Sequence, residues 1–158
     1  MRAFLLFLSS LLTFFGLEAS ETEPEYSAMP SIRYSFRMEM SRGYLSGIFL
    51  TKQTATEIKG SVINEFGVEA LSFRYDIKNE KLKLMNVIGF LDKWYIKKIL
   101  RNDLRFCLYE LYGLAHNQNR NYDVSYRDDI LMIVNRKRNI SYSFTPMPNI
   151  DMNNDTEQ

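Results

Sequence analysis

The chain has 158 residues, 46% of them hydrophobic, with 20 basic and 19 acidic side chains and a formal net charge of +1. That size suits one ordinary domain with a single core, and the near-neutral balance lacks the basic footprint of a nucleic-acid-binding domain. One cysteine, Cys107, excludes an intramolecular disulfide, and one histidine, His116, excludes a multi-histidine zinc site or an HExxH protease helix.

The opening MRAFLLFLSSLLTFFGLEAS carries one positive charge at Arg2, a largely apolar run from Ala3 to Leu12, two more phenylalanines, and then the small residues Gly16, Ala19 and Ser20. With Glu18 so close, the run is shorter than the roughly 20 residues needed to cross a bilayer. The layout predicts a secretory signal peptide over residues 1–19, cut after Ala19; retention as an anchor is the alternative. No cysteine follows the small residues to carry a lipid, so the mature chain is expected to be soluble after export. An exported domain without disulfide staples points to a bacterial periplasm or envelope.

Residues 20–31 are acidic, contain proline and show no period, as a flexible leader would. In SIRYSFRMEMS, Ile32, Tyr34, Phe36, Met38 and Met40 fall on one face and Arg33, Ser35, Arg37, Glu39 and Ser41 on the other, the strongest strand signal in the chain. After a turn at Ser41-Arg42-Gly43, GYLSGIFLTKQ reads as a second strand in which Gly47 marks a bulge or a close backbone approach. TEIKGSVINEF and EALSFRYDI follow, separated by a turn at Phe66-Gly67-Val68, and KLKLMNV comes after a tight turn at Asn79. Strands joined by such short turns pair antiparallel, because a parallel return needs a long crossover.

At Gly89 the period changes. Ile96, Ile99, Leu100, Leu104, Cys107, Leu108 and Leu111 form one helical stripe, with Lys97, Lys98, Arg101, Asn102 and Arg105 on the other side. Asp92 is the expected N-cap or first-turn carboxylate and Gly113 the expected stop, with one helix or two between residues 90 and 111. AHNQNRNY reads as a loop, DVSYR as a short strand, DILMIVN and RNISYSF as a hairpin across Arg136-Lys137-Arg138, and residues 146–158 as a disordered tail. The predicted fold is α+β: a curved antiparallel sheet, an incomplete barrel over residues 32–145, covered by one long amphipathic helix that keeps its apolar face from water.

The residues offer no catalytic set. Cys107 lies in the apolar stripe without an adjacent histidine and reads as a core residue. His116 stands in an asparagine-rich loop, and the seven glycines form neither GxGxxG nor GxxxxGK. Asp92, Asp103, Glu110 and Asp128-Asp129 are accounted for as caps, surface pairs and a strand-start charge. No catalytic residue, metal or cofactor is expected. The sharpest charge features are Lys93, Lys97, Lys98, Arg101 and Arg105 on the helix and Arg136-Lys137-Arg138 at the hairpin tip, either a solvated face or a contact for anionic headgroups or an acidic partner. Tyr34, Phe36, Met38, Met40, Phe49, Phe73, Tyr75 and Trp94 suggest a soft apolar wall, which serves either as a packed core or as a cleft for flexible greasy ligands.

The strand SIRYSFRMEM, the run IKGSVINEFGVEALSFRYD with the hairpin KNEKLKL after it, and the helix FLDKWYIKKIL together resemble the bacterial lipoprotein-carrier superfamily typified by LolA and LolB. The likeness covers about Ile32 to Leu111, with the hairpin Ile130 to Phe144 as a looser extension. It implies a curved half-barrel lidded by helix around an apolar cavity that shields acyl chains without any reaction. The sequence thus predicts an exported, monomeric, non-enzymatic protein that binds lipid or lipoprotein acyl chains in the envelope. The alternative is an envelope interaction module with a packed core that docks a protein partner through its basic helix face.

Overall fold

The computed structural model describes residues 31–117 and 119–148. The expected signal peptide, the leader up to residue 30 and the tail from residue 149 lie outside the described residues. The elements are β1 (Ser31–Met40), β2 (Gly43–Gln53), β3 (Glu57–Asn64), β4 (Glu69–Asp76), β5 (Lys81–Val87), α1 (Trp94–Tyr112), β6 (Tyr122–Arg127), β7 (Ile130–Asn135) and β8 (Ile140–Pro146). They form one eight-stranded antiparallel sheet in the order β5-β4-β3-β2-β1-β8-β7-β6, open at both edges, with the helix packed on one face: an α+β fold.

Alternation fixes which face is buried. Cross-strand register sets Tyr34 opposite Phe49 and Met38 opposite Leu45, while β8 brings Phe144 opposite Phe36 and Tyr142 opposite Met38. All of these point to the helix side, because a register slip of one residue would turn the whole set outward. At Gly47 the backbone of β2 presses on β3 so closely that a Cβ would collide with the carbonyl of Ile63. At Gly60 a Cβ would overlap the ring of Phe73 on the neighbouring strand. β-Bulges at Val62/Ile63 and Ser72/Phe73 add local twist.

The topology dictates where the helix lies. The chain leaves the sheet at β5, one edge, and re-enters at β6, the other. Seven interstrand steps of about 4.8 Å would separate flat edges by about 34 Å, and a 19-residue helix is about 28 Å long, so α1 and its flanking loops together carry the chain across the face between them. Its Leu100, Leu104, Phe106, Cys107 and Leu108 are buried there. Further contacts run from Tyr112 Oη to Thr51 Oγ1 of β2 at 2.7 Å and from Tyr109 edge-on to Tyr75 of β4.

The helix is single. It stops where expected: Gly113 is left-handed (φ 60°) and its N–H bonds Tyr109 O. Its start differs from expectation, since the N-cap is Lys93, with no side-chain cap, and Asp92 instead pairs with Lys97 Nζ at 2.5 Å. One turn inside the helix, Lys97 reaches back past the N-terminus and takes up the carboxylate. The sheet also runs further than expected at its end, because β8 includes Pro146 and the Met147 N–H bonds Arg33 O at 3.0 Å. No described helix is long and apolar enough to cross a membrane.

Candidate ligand-binding site

Seven of the eight wall residues share the concave face of the sheet. Phe36, Met38, Phe49, Phe73 and Tyr75 are at most 2% exposed, and Tyr34 and Met40 are half-buried at the rim. The rings touch: Phe49 lies 5.7 Å from Phe36, 5.8 Å from Phe73 and 5.2 Å from Phe144, distances at which aromatic pairs attract. Leu100, Leu104 and Leu108 of α1 fill the remainder of this trough. Trp94 does not join the wall. It begins the helix, is 76% exposed, and its ring meets that of Tyr95 edge-on at 5.9 Å.

The basic residues lie on the outer side of α1. Lys93, Lys98 and Arg101 are exposed, whereas Lys97 is half-buried by its pairing with Asp92. Arg101 Nε donates back to the carbonyl of Lys97. Two further lysines, Lys81 and Lys83 of β5, face the same groove as Lys97, Lys98, Arg101 and Arg105. Sequence reading missed them because they sit on a different element and join the helix cations only through the β5–α1 packing.

The other feature hidden from sequence is a buried polar knot. Asp103 is not a cap or surface charge but is 1% exposed, its Oδ1 accepting from Tyr122 Oη at 2.6 Å and Asn135 Nδ2 at 2.8 Å, and its Oδ2 from Tyr142 Oη at 2.6 Å. The only clue was an aspartate within the apolar stripe of Leu100, Leu104 and Cys107. Burial and hydrogen bonding to the carboxylate push the Tyr122 phenol up, and burial followed by the Asp103 charge does the same for Tyr142. Burial, with the Asp103 charge behind it, also raises the Cys107 thiol. Each ionisation would place a second anion beside the first in a dry site.

His116 is held by surrounding groups. Its Nδ1 faces the Leu114 carbonyl at 3.1 Å, its Nε2 faces Glu110 Oε1 at 3.2 Å, and its ring stacks on Tyr109 at 4.9 Å. Asp128 occupies the β6–β7 turn with φ 52°. Neither carboxylate forms an acid/base couple with Asp103, whose three acceptor contacts are already made. Among the described residues no cluster of three His, Cys, Asp or Glu could hold a metal. The described residues present two concave features: an apolar trough closed by one helix, and a polar cleft of about 960 Å³ on the helix's other flank. No protein-family model matches the chain, and no curated protein matches its sequence.

Proposed function

We propose that the protein is an exported, non-enzymatic component of bacterial envelope lipid or lipoprotein handling that shields acyl chains between its sheet and its helix, as the likeness to the LolA/LolB carriers suggests. The supporting observation is the single-element roof: an open-edged sheet presents Phe36, Met38, Phe49, Phe73 and Tyr75 to one helix, whose leucines fill the trough. An acyl chain needs the volume those leucines occupy. Admission therefore requires α1 to swing outward, with methylenes entering the trough at about 0.8 kcal/mol per buried CH₂. Gly89 and Gly113 flank the helix and can absorb the backbone change. Met38 and Met40 suit a wall that repacks around chains of differing shape, and Lys93, Lys97, Lys98 and Arg101 would lie beside anionic headgroups.

A second reading is favoured by the closure of the same wall. With the trough residues at most 2% exposed, the protein would be a packed-core interaction module that docks an envelope partner through the basic helix face. Titration with cis-parinaric acid, a fluorescent fatty acid, separates the two. Saturable binding at one site, displaced by oleate, is expected for the carrier. No saturable signal, together with loss of a co-purifying partner on reversing charge at Lys97, Lys98 and Arg101, would select the interaction module.

A further inference from the structure

The polar cleft lies on the helix flank opposite the one that buries Leu100 and Leu104, between α1 and the β7–β8 hairpin, and with the helix seated on the sheet it is already formed. Four cations line it: Lys98 and Arg105 from α1, Lys137 and Arg138 from the β7–β8 hairpin. None has a carboxylate partner among the described residues; Arg105 reaches only the Glu80 carbonyl, at 3.5 Å. Glu80 is the one exposed acidic side chain on the lining, since Asp103 turns its oxygens inward to Tyr122, Asn135 and Tyr142.

This distribution is uneven for a chain whose net charge is +1. Unpaired cations around a concavity concentrate anions, and the guanidinium fork matches phosphate oxygens. Trp94 and Tyr95, exposed on the lining and set edge to face, offer aromatic surface that suits the C–H face of a sugar, and the amides of Asn102 and Asn121 can both donate to and accept from hydroxyls. The volume, about 960 Å³, is at the upper end for small-molecule sites.

We infer that this cleft binds a phosphorylated sugar or polyol, its phosphate among Lys98, Arg105, Lys137 and Arg138 and its ring against Trp94 and Tyr95. The group arrives either free or as the headgroup of a glycophospholipid. Trp94 is the only tryptophan in the chain, so its emission reports on this cleft alone. The test titrates the whole protein with glucose-6-phosphate, glucose and inorganic phosphate, and with vesicles carrying either phosphatidylinositol phosphate or phosphatidylglycerol. Saturation by glucose-6-phosphate at concentrations at least about tenfold below those of glucose or phosphate is expected, weakened at least about tenfold by the surface variant Lys98→Glu/Arg138→Glu. Arg42→Glu, on the distant β1–β2 turn, should leave it unchanged, and all variants should melt alike. A response confined to phosphatidylinositol phosphate vesicles identifies the lipid-borne source, and one to the free compound identifies the free source. Equal responses to phosphate and glucose-6-phosphate, indifference to the double variant, or equal responses to both vesicle types would overturn the assignment.

Discussion

At the scale of single residues, Asp103 ties the helix to the three strands that follow it in the chain, β6, β7 and β8. Removing its carboxylate leaves the Tyr122 and Tyr142 hydroxyls and the Asn135 amide without their acceptor, and each orphaned buried group costs about 1–3 kcal/mol. Asp103→Ala should therefore lower stability by roughly 3 kcal/mol or more in urea denaturation, and Asp103→Asn by less, since its carbonyl still accepts. The two phenols add a pH dependence with a definite sign. Their folded-state values lie above the ordinary one, so the folded protein holds these protons more tightly than the unfolded chain. The associated stability is fully present below about pH 10 and is lost as pH rises through the raised values. Denaturation midpoints should hold up to about pH 10 and fall as pH rises beyond it, less steeply in Tyr142→Phe. Cys107, fully buried with its thiol pushed up, should ignore thiol reagents in the native protein and react only on unfolding. Its placement in the core was legible because it fell on the stripe; the polar knot was not, because a hydrogen-bond partner across the fold leaves no local mark.

At the scale of elements, strands and helix were legible where period and turn chemistry agreed. The alternation of Tyr34, Phe36, Met38 and Met40 fixes the buried face of β1, and Gly113 stops α1 because it adopts the left-handed conformation that favours glycine. The helix start was misplaced because Asp92 carries a capping residue's chemistry but spends it on Lys97. The pairing of β8 with β1 leaves no sequence signal at all, since it is a long-range consequence of the chain crossing the sheet. Two substitutions probe this packing. Leu104→Ala, in the middle of the roof, should cost about 2–5 kcal/mol. Gly60→Ala should cost about 1–3 kcal/mol by driving a methyl into the Phe73 ring, and much less in a Phe73→Leu background, a coupling that a double-mutant cycle measures.

At the scale of the whole molecule, the order of strands makes one helix the only described helical cover for a sheet that ends at β5 and β6. That economy puts both proposed sites on the same element. The inner flank of α1 closes the Met- and aromatic-lined trough, and the outer flank gathers cations from β5, the helix and the β7–β8 hairpin. The trough was legible as a set of residues, but not as closed: apolar spacing is the same whether a wall packs on leucines or on a ligand. Native mass spectrometry of the protein purified from the envelope in mild detergent tests the acyl-shielding account most directly. The account predicts a population carrying one added acyl-lipid mass, which is released when excess oleate is supplied. A single species at the bare polypeptide mass, unchanged after incubation with oleate or phospholipid, would contradict it.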